Sequence, residues 1–518
     1  MDDAGKVTVQ SRRGGGRAAR KQLRSSPLSD ELRPVRPGLV GGTYKPLDAA
    51  SVGAIEDAVY QILEEIGLSQ APESGIEYMR SVGAVYGEDG RVRFPRKVIE
   101  ETFEKAARNV TLHGRNPKYD LELSGQRVHF GTAGAAVHMV DVANNSYRDS
   151  QLADLYDAAR ITEQMENVHF YQRPMVARDI EDPAEMDLNT IYACIKGTQK
   201  HIGTSFTEAP FMPDCISMLH DIAGGEAAWR ARPFVSNSNC FVVPPLRFAT
   251  ESCLVMEEAV KAGMPVLLLS AGQAGATAPA SIAGAVAQAV AEVLAGLVYV
   301  NAMVPGHPAI LGTWPFVSDL RTGAMSGGSG EQGLLSAACA QMISHFNLPS
   351  GAASGMADAK MPDAQSGYEK GSTAVMAGLA GLNMVYEAAG MHASLMGFCL
   401  ESLIIDNDMF GQCLRCVRGV EVNEKTLNLD VIKQVCMEGP GHYLGHDQTI
   451  SLMQSEYIYP VIGDRSSPKE WEELNKPNLV QNATARKERI LGAGDQGFID
   501  AELDAMLRSK YKIYLTAD

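Results

Sequence analysis

Apolar positions fall into two rhythms along this chain. Over residues 46–67, Val52, Ile55, Ala58, Val59, Ile62, Leu63 and Ile66 recur near every 3.6 positions, so a buried-face helix opens the folded part. From Arg91 to Arg148 that period gives way to short runs, RVRFP, NVTLHG, LELSG and RVHFG, separated by Gly and Asn. They predict small strands and hairpins, an N-terminal α/β layer. Beyond residue 151, helical stretches alternate with brief apolar runs: VHFYQ (168–172), HIGTSF (201–206), FVSNSNC (234–240), VLLLSAG (266–272), AILGTW (309–314), SGAASG (350–355) and NMVYEAAG (383–390). Such alternation predicts parallel strands joined by helical crossovers.

The runs number seven, and Phe398 to Ile405, which reads as helix, does not supply an eighth. A doubly wound open sheet is the rival architecture. Length and the lack of a strand-linked G-x-G-x-x-G favour a TIM (β/α)8 barrel with an N-terminal α/β extension. The expected organisation is a basic, disordered tail over 1–43, a helix and small-strand layer over 44–150, the barrel over 151–470 and a helical C-terminal tail over 471–518. Several runs end in small or polar residues: Ser205, Asn237, Asn239, Ser270, Gln273, Thr313, Ser354 and Glu387. Strand C-termini form the active-site mouth of a barrel, so these positions are candidates for chemistry, although turns use the same residue types.

Composition narrows the function classes. The 518 residues are 45% hydrophobic and 21% charged, as in ordinary globular proteins. A net charge of −16 disfavours nucleic acid as a partner, because phosphate neutralisation needs a positive face. Arg12, Arg13, Arg17, Arg20, Lys21 and Arg24 form the one basic run, with no signal-peptide-like apolar stretch after it. Nine scattered cysteines suit a reducing compartment, and the cytoplasm is the expected location. The apolar stretch from Ser281 to Pro305 is interrupted by Gln288, Glu292 and Asn301. It predicts a buried helix followed by a buried strand, with no membrane span.

Candidate chemistry is thinly marked. AGQAGATAP (271–279) follows a strand run and predicts a loop on the pocket rim, without matching a phosphate-binding pattern. Asp358 to Lys370 is the most polar cluster; Lys360 and Gln365 there are candidates for orienting a substrate, with a capped helix as the plain alternative. Cys413 and Cys416 form C-x-x-C without a second pair, and His442 and His446 sit in a Gly- and Pro-rich loop, so no metal site is expected. Phe206, Phe241, Trp314, Phe316 and Tyr386 are the aromatic residues near strand ends, and Trp314 is the first choice for a ring face against a cation.

DVANNSYRDSQLADLYDAARI, RPMVARDI, DLRTGAMSGGSGEQGLLSAACAQM, LPSGAASGMADAKMPDAQSGYEK, LAGLNMVYEAAGM and IDNDMFGQCLRCVRGVEVNEKTLNLDVIKQV follow one another in an order and spacing that resemble the trimethylamine methyltransferase family, over roughly residues 45 to 470. The resemblance implies a TIM barrel that moves a methyl group from an amine nitrogen to Co(I) of a corrinoid. No D-x-H-x-x-G corrinoid motif occurs here, so the cofactor is expected on a partner protein or supplied free. Trimethylamine enzymes of the family carry pyrrolysine, whereas this chain has only standard residues. In that respect it is similar to the glycine betaine and quaternary-amine members. The expected substrate is therefore a quaternary amine, with trimethylamine demethylation and a non-catalytic methylamine-binding barrel as alternatives.

Against that background His392, just beyond the last strand run, is the expected catalytic residue facing the corrinoid. Trp314, Phe206, Asn239, Tyr386, Gln365 and Lys360 are the expected substrate contacts. Self-association is compatible with this reading.

Overall fold

The computed structural model describes residues 28–132 and 134–516. The basic run expected to be a disordered tail lies outside them. Pro37–Gly419 and Pro460–Asp518 form one compact unit. Val420–Tyr459 and the described residues up to Arg36 form another, built of short helices such as Glu424–Leu427, where Asn423 and Thr426 close a reciprocal cap.

The larger unit is organised on a nine-stranded, mainly parallel sheet. Its strands are β1 (Leu39–Val40), β2 (Arg127–Phe130), β3 (Tyr171–Gln172), β4 (Ile202–Thr204), β5 (Val235–Asn239), β6 (Val266–Ser270), β7 (Ala309–Thr313), β8 (Ser350–Ala353) and β9 (Met384–Tyr386), in the spatial order β1-β2-β9-β8-β7-β6-β5-β4-β3. Only β1 runs antiparallel, against β2. All seven expected runs are strands. They are buried along their length, as strands covered on both faces are, and this accounts for the largely apolar runs of β6 and β7.

RVHFG corrects the expected division of the chain. Instead of belonging to a separate N-terminal layer, it supplies β2, which pairs in parallel with β9 through Met384 with His129 and Val385 with Phe130. The curvature of the sheet also brings β2 back to the start of β3. Gly131 and Phe170 form a parallel bridge, and the His169 amide donates to the Phe130 carbonyl at 2.6 Å. Gly131 is required there, because a Cβ would fall 2.2 Å from the Phe170 ring.

The opening helix α1 (Ala49–Gln61) is capped by Asp48 and buries Val52, Ile55 and Val59. Each parallel strand from β2 onward is followed by a helix: α2 (Leu152–Glu163), α3 (Pro183–Gly197), α4 (Met212–Ala223), α5 (Thr250–Lys261), α6 (Ile282–Met303), α7 (Gly330–His345), α8 (Ala364–Ala380) and α9 (Leu400–Arg418). The stretch expected to be a helix and a strand is almost wholly α6; β7 begins only at Ala309. Among the described residues α6 alone is long and apolar enough to cross a membrane, and most of it is buried inside the protein. Its interrupting carboxylate is satisfied: Glu292 accepts from the Leu246 amide at 2.8 Å and from the Ser270 hydroxyl. The C-terminal segment is also more than a tail. Lys487 reaches Glu401 at 2.6 Å, and Arg160 donates to the Leu491 carbonyl at 2.9 Å.

Candidate functional site

A cavity of about 490 Å³ opens at the C-terminal ends of the parallel strands, within the range of small-ligand sites. Gln172 and Arg173 enter it from β3, Phe206 from the segment after β4, Asn237, Asn239 and Cys240 from β5, Trp314 and Phe316 after β7, and Glu387 after β9. Its wall is completed by Leu395 and Met396. Ala393, Ser394 and Leu395 all have positive φ, between 50° and 78°, a costly conformation for side chains with a Cβ. Asp358 anchors this lip by accepting from the Ser394 hydroxyl at 2.5 Å and the Ser326 hydroxyl at 2.6 Å.

The polar lining is left largely unpaired. Glu387 is 1% exposed, sits at φ 57° and has no partner for Oε2. Burial holds its carboxyl well above the usual range. Both amide atoms of Asn237, Gln172 Oε1 and Trp314 Nε1 are likewise buried without partners. Buried polar groups are almost always bonded, to protein or to water, so this concentration of groups without a protein partner makes the cavity the candidate site. Burial lowers the guanidinium pKa of Arg173, with Asp187 the largest opposing influence. The Cys240 thiol on the same wall is pushed up to about 11, first by burial, then by Glu387, while Arg173 acts against this.

Of the expected contacts, the structure brings Trp314, Phe206 and Asn239 together on the cavity wall. Asn239 donates to the Ser252 carbonyl at 2.8 Å. Tyr386 lies fully buried in ring contact with Trp314, centroids 5.5 Å apart. It packs behind the cavity wall instead of lining it. Gln365 and Lys360 are elsewhere: Gln365 bonds Glu369 at 2.8 Å, and the exposed Lys360 bonds the Asp358 carbonyl at 2.6 Å. The polar cluster is thus a helix start, with Asp363 capping α8 and Glu369 accepting from the Asp358 and Ala359 amides.

His392 is also corrected. Its ring is fully buried, with one nitrogen at 3.2 Å from the Ala359 carbonyl and the other at 2.6 Å from the Ser402 hydroxyl. Burial and then the nearby Lys370 charge push it down to about 3. It is a neutral packing residue facing no opening. Sequence reasoning left Arg173, Gln172 and Cys240 out of the site, and placed Glu387 and Asn237 only in the general set of strand ends. Their signal was the same one that found Trp314: a polar residue at or just beyond an apolar strand run.

A metal-holding group of three or more His, Cys, Asp or Glu is absent among the described residues. Cys413 and Cys416 both lie on α9, and His446 caps the short helix Asp447–Leu452.

The family described as "Trimethylamine methyltransferase (MTTB)" matches residues 13–513. A glycine betaine methyltransferase of Desulfitobacterium hafniense is 31% identical over 469 residues, 90% of this chain and 96% of its own. The trimethylamine methyltransferase MttB of the same species is 29% identical over 457 residues, 88% and 91% of the two chains. Among solved structures, the dihydropteroate synthase of Xanthomonas albilineans aligns with 60% of this chain and 99% of its own, at 12% identity and a TM-score of 0.35.

Proposed function

The chain belongs to the trimethylamine methyltransferase family and is a methyltransferase; from that premise we propose that it demethylates a quaternary amine, glycine betaine or a close analogue, with Co(I) of a corrinoid as the methyl acceptor. The observation that carries this reading is the cavity itself, where Trp314, Phe206 and Phe316 share the wall with the buried Glu387 carboxyl. A quaternary nitrogen has no N–H to donate. Ring faces and a desolvated carboxylate are what bind it.

The scaffold in this proposal is a closed (β/α)8 barrel, with the Gly131–Phe170 bridge as the seam between its first and second strands. Chemistry is then placed at the strand C-termini, as in other barrels. In the reaction the cobalt electron pair forms the new bond to the methyl carbon, and the C–N pair leaves with a neutral tertiary amine. Positive charge on nitrogen therefore falls along the reaction coordinate. Glu387 and Trp314 stabilise the bound cation more than the transition state, so they act on binding. Acceleration comes from holding the methyl in line with the acceptor and excluding water. The acceptor arrives on a separate protein, over the rim where Leu320 and Met396 are 71% and 51% exposed. His392, enclosed on both ring nitrogens, has no part in this scheme, and the expected location is the cytoplasm.

The test supplies purified protein with a Co(I) corrinoid and a panel of glycine betaine, choline and trimethylamine, following amine consumption and the demethylated product by NMR. A quaternary amine is expected to lose one methyl. Turnover of trimethylamine alone would overturn the proposal in favour of the tertiary-amine reaction.

A further inference from the structure

Glu387 leaves β9 in the left-handed region, at φ 57°, and Gly390 closes the same turn at φ 79°. A residue with a Cβ keeps such a conformation only where its surroundings over-determine it. Here they come from several stretches of chain. The Tyr386 carbonyl accepts from the Ser354 amide at 3.1 Å, the Ala389 amide donates to the Gly131 carbonyl at 3.3 Å, and the Gly390 carbonyl accepts from the Cys399 amide at 2.9 Å. The remaining holds are side chains. Lys370, on α8, donates through Nζ to the Ala388 carbonyl at 3.2 Å, and Asp406, on α9, accepts from the Gly390 amide at 2.7 Å. The same Asp406 oxygen, Oδ2, also takes the Lys370 ammonium at 2.9 Å, so the two side chains act as one clamp. Lys370 and Asp406 lie on the wall of a separate cavity of about 730 Å³. Their bonds reach Glu387 through the backbone of residues 388–390.

We infer that Lys370 and Asp406 are positioning residues that hold the turn Ala388–Gly390 and, through it, keep the Glu387 carboxyl on the wall of the strand-end cavity. The inference rests on the quaternary-amine reading above, in which that carboxyl meets the cation. A buried ion pair is a weak source of stability, because apolar residues of similar volume often serve as well. What an apolar pair lacks is a donor for the Ala388 carbonyl and an acceptor for the Gly390 amide. Those bonds fall one and three positions beyond Glu387, where a change in the turn is passed directly to its φ.

The experiment places Lys370→Met, Asp406→Leu and Lys370→Met, Asp406→Asn in the wild-type and Glu387→Gln backgrounds. Affinity for choline and for glycine betaine is read by calorimetry, and the turn by a crystal structure of the apolar double variant. That variant is expected to bind both cations about tenfold more weakly, as loss of hydrogen bonds to charged groups does, with Glu387 out of the left-handed region. Lys370→Met, Asp406→Asn returns an oxygen to the Gly390 amide and is expected to recover most of the affinity. In Glu387→Gln the apolar pair should add less than about twofold, because residues that act through one group are not additive. If the apolar pair does not fold, Lys370→Met, Asp406→Ala takes its place in the same comparison. An unchanged turn with unchanged affinity would overturn the inference, and so would equal losses in the two backgrounds. If the turn rearranges but Glu387→Gln alone binds both cations as wild type does, the reading of Glu387 as the cation's partner fails and the positioning role stands.

Discussion

Two sets of buried ionisable groups meet around the end of β9, and they are treated in opposite ways. Lys370 and Asp406 are each 2% exposed and meet at 2.9 Å. Lys370 also donates to the Ala388 carbonyl at 3.2 Å, and Asp406 accepts from the Gly390 amide at 2.7 Å. That pair pins the backbone just after Glu387. Glu387 itself, as deeply buried, has an unpartnered carboxyl oxygen. An isolated buried charge costs several kcal/mol, and burial accordingly holds the Glu387 carboxyl well above the usual range. The paired set holds the frame; on the proposed function, the open one meets the substrate cation.

Breaking the structural pair has the largest expected effect. Lys370→Met leaves Asp406 uncompensated and should cost about 3–5 kcal/mol in denaturant unfolding. The double variant Lys370→Met, Asp406→Leu should recover much of that, because removing both charges removes the penalty with the attraction. Glu387→Gln should do the reverse. It replaces a carboxyl that burial keeps protonated in the free protein by a neutral group of the same shape, so thermal stability should hold while KM for the quaternary amine increases about 30-fold, about 2 kcal/mol. The same variant sharpens the kinetic argument: kcat should change far less than KM, and an equal fall in kcat would place Glu387 in transition-state stabilisation instead.

Proton linkage gives a further check on Glu387. Its carboxyl is held well above the usual range by burial, so the free site carries a proton that the bound cation displaces. KM should therefore fall as pH rises toward that raised pKa, and the trend should flatten in Glu387→Gln. Next in size, Trp314→Leu should weaken binding about tenfold, the worth of about 1–2 kcal/mol from one desolvated cation–π contact, seen in calorimetry with the quaternary amine. The smallest expected effect belongs to His392→Gln. It should cost about 1 kcal/mol of stability through its lost hydrogen bonds and leave KM within about twofold, since the ring faces Ala359 and Ser402, away from the cavity.

The parallel strands covered on both faces were legible because they read as short, nearly pure apolar runs, and VLLLS and AILGT could hardly be anything else. RVHF was not. A four-residue run of mixed polarity looks the same whether it joins a hairpin or the main sheet, and only its neighbours β1, β9 and Phe170 decide the matter. The site divides in the same way. Trp314, Phe206 and Asn239 come to one cavity because strand ends converge in any such architecture. Gln365 and Lys360 were misassigned because a polar cluster at a helix start satisfies its own backbone, and the pattern of residues does not reveal which hydrogen bonds are local.

What the order of residues established is therefore the alternation of strand and helix and the family, with the strand ends as candidate positions for chemistry, since periodicity and strand-end polarity are local properties of the chain. Which of those positions hold ionisable groups without a partner was settled only by folding. Burial and pairing depend on residues far apart in the chain: Lys370 finds Asp406 and His392 finds Ser402. Arg173 and Glu387, brought to the same cavity from chain positions more than 200 residues apart, find no such partner, and that difference in surroundings separates the candidate site from the frame that holds it.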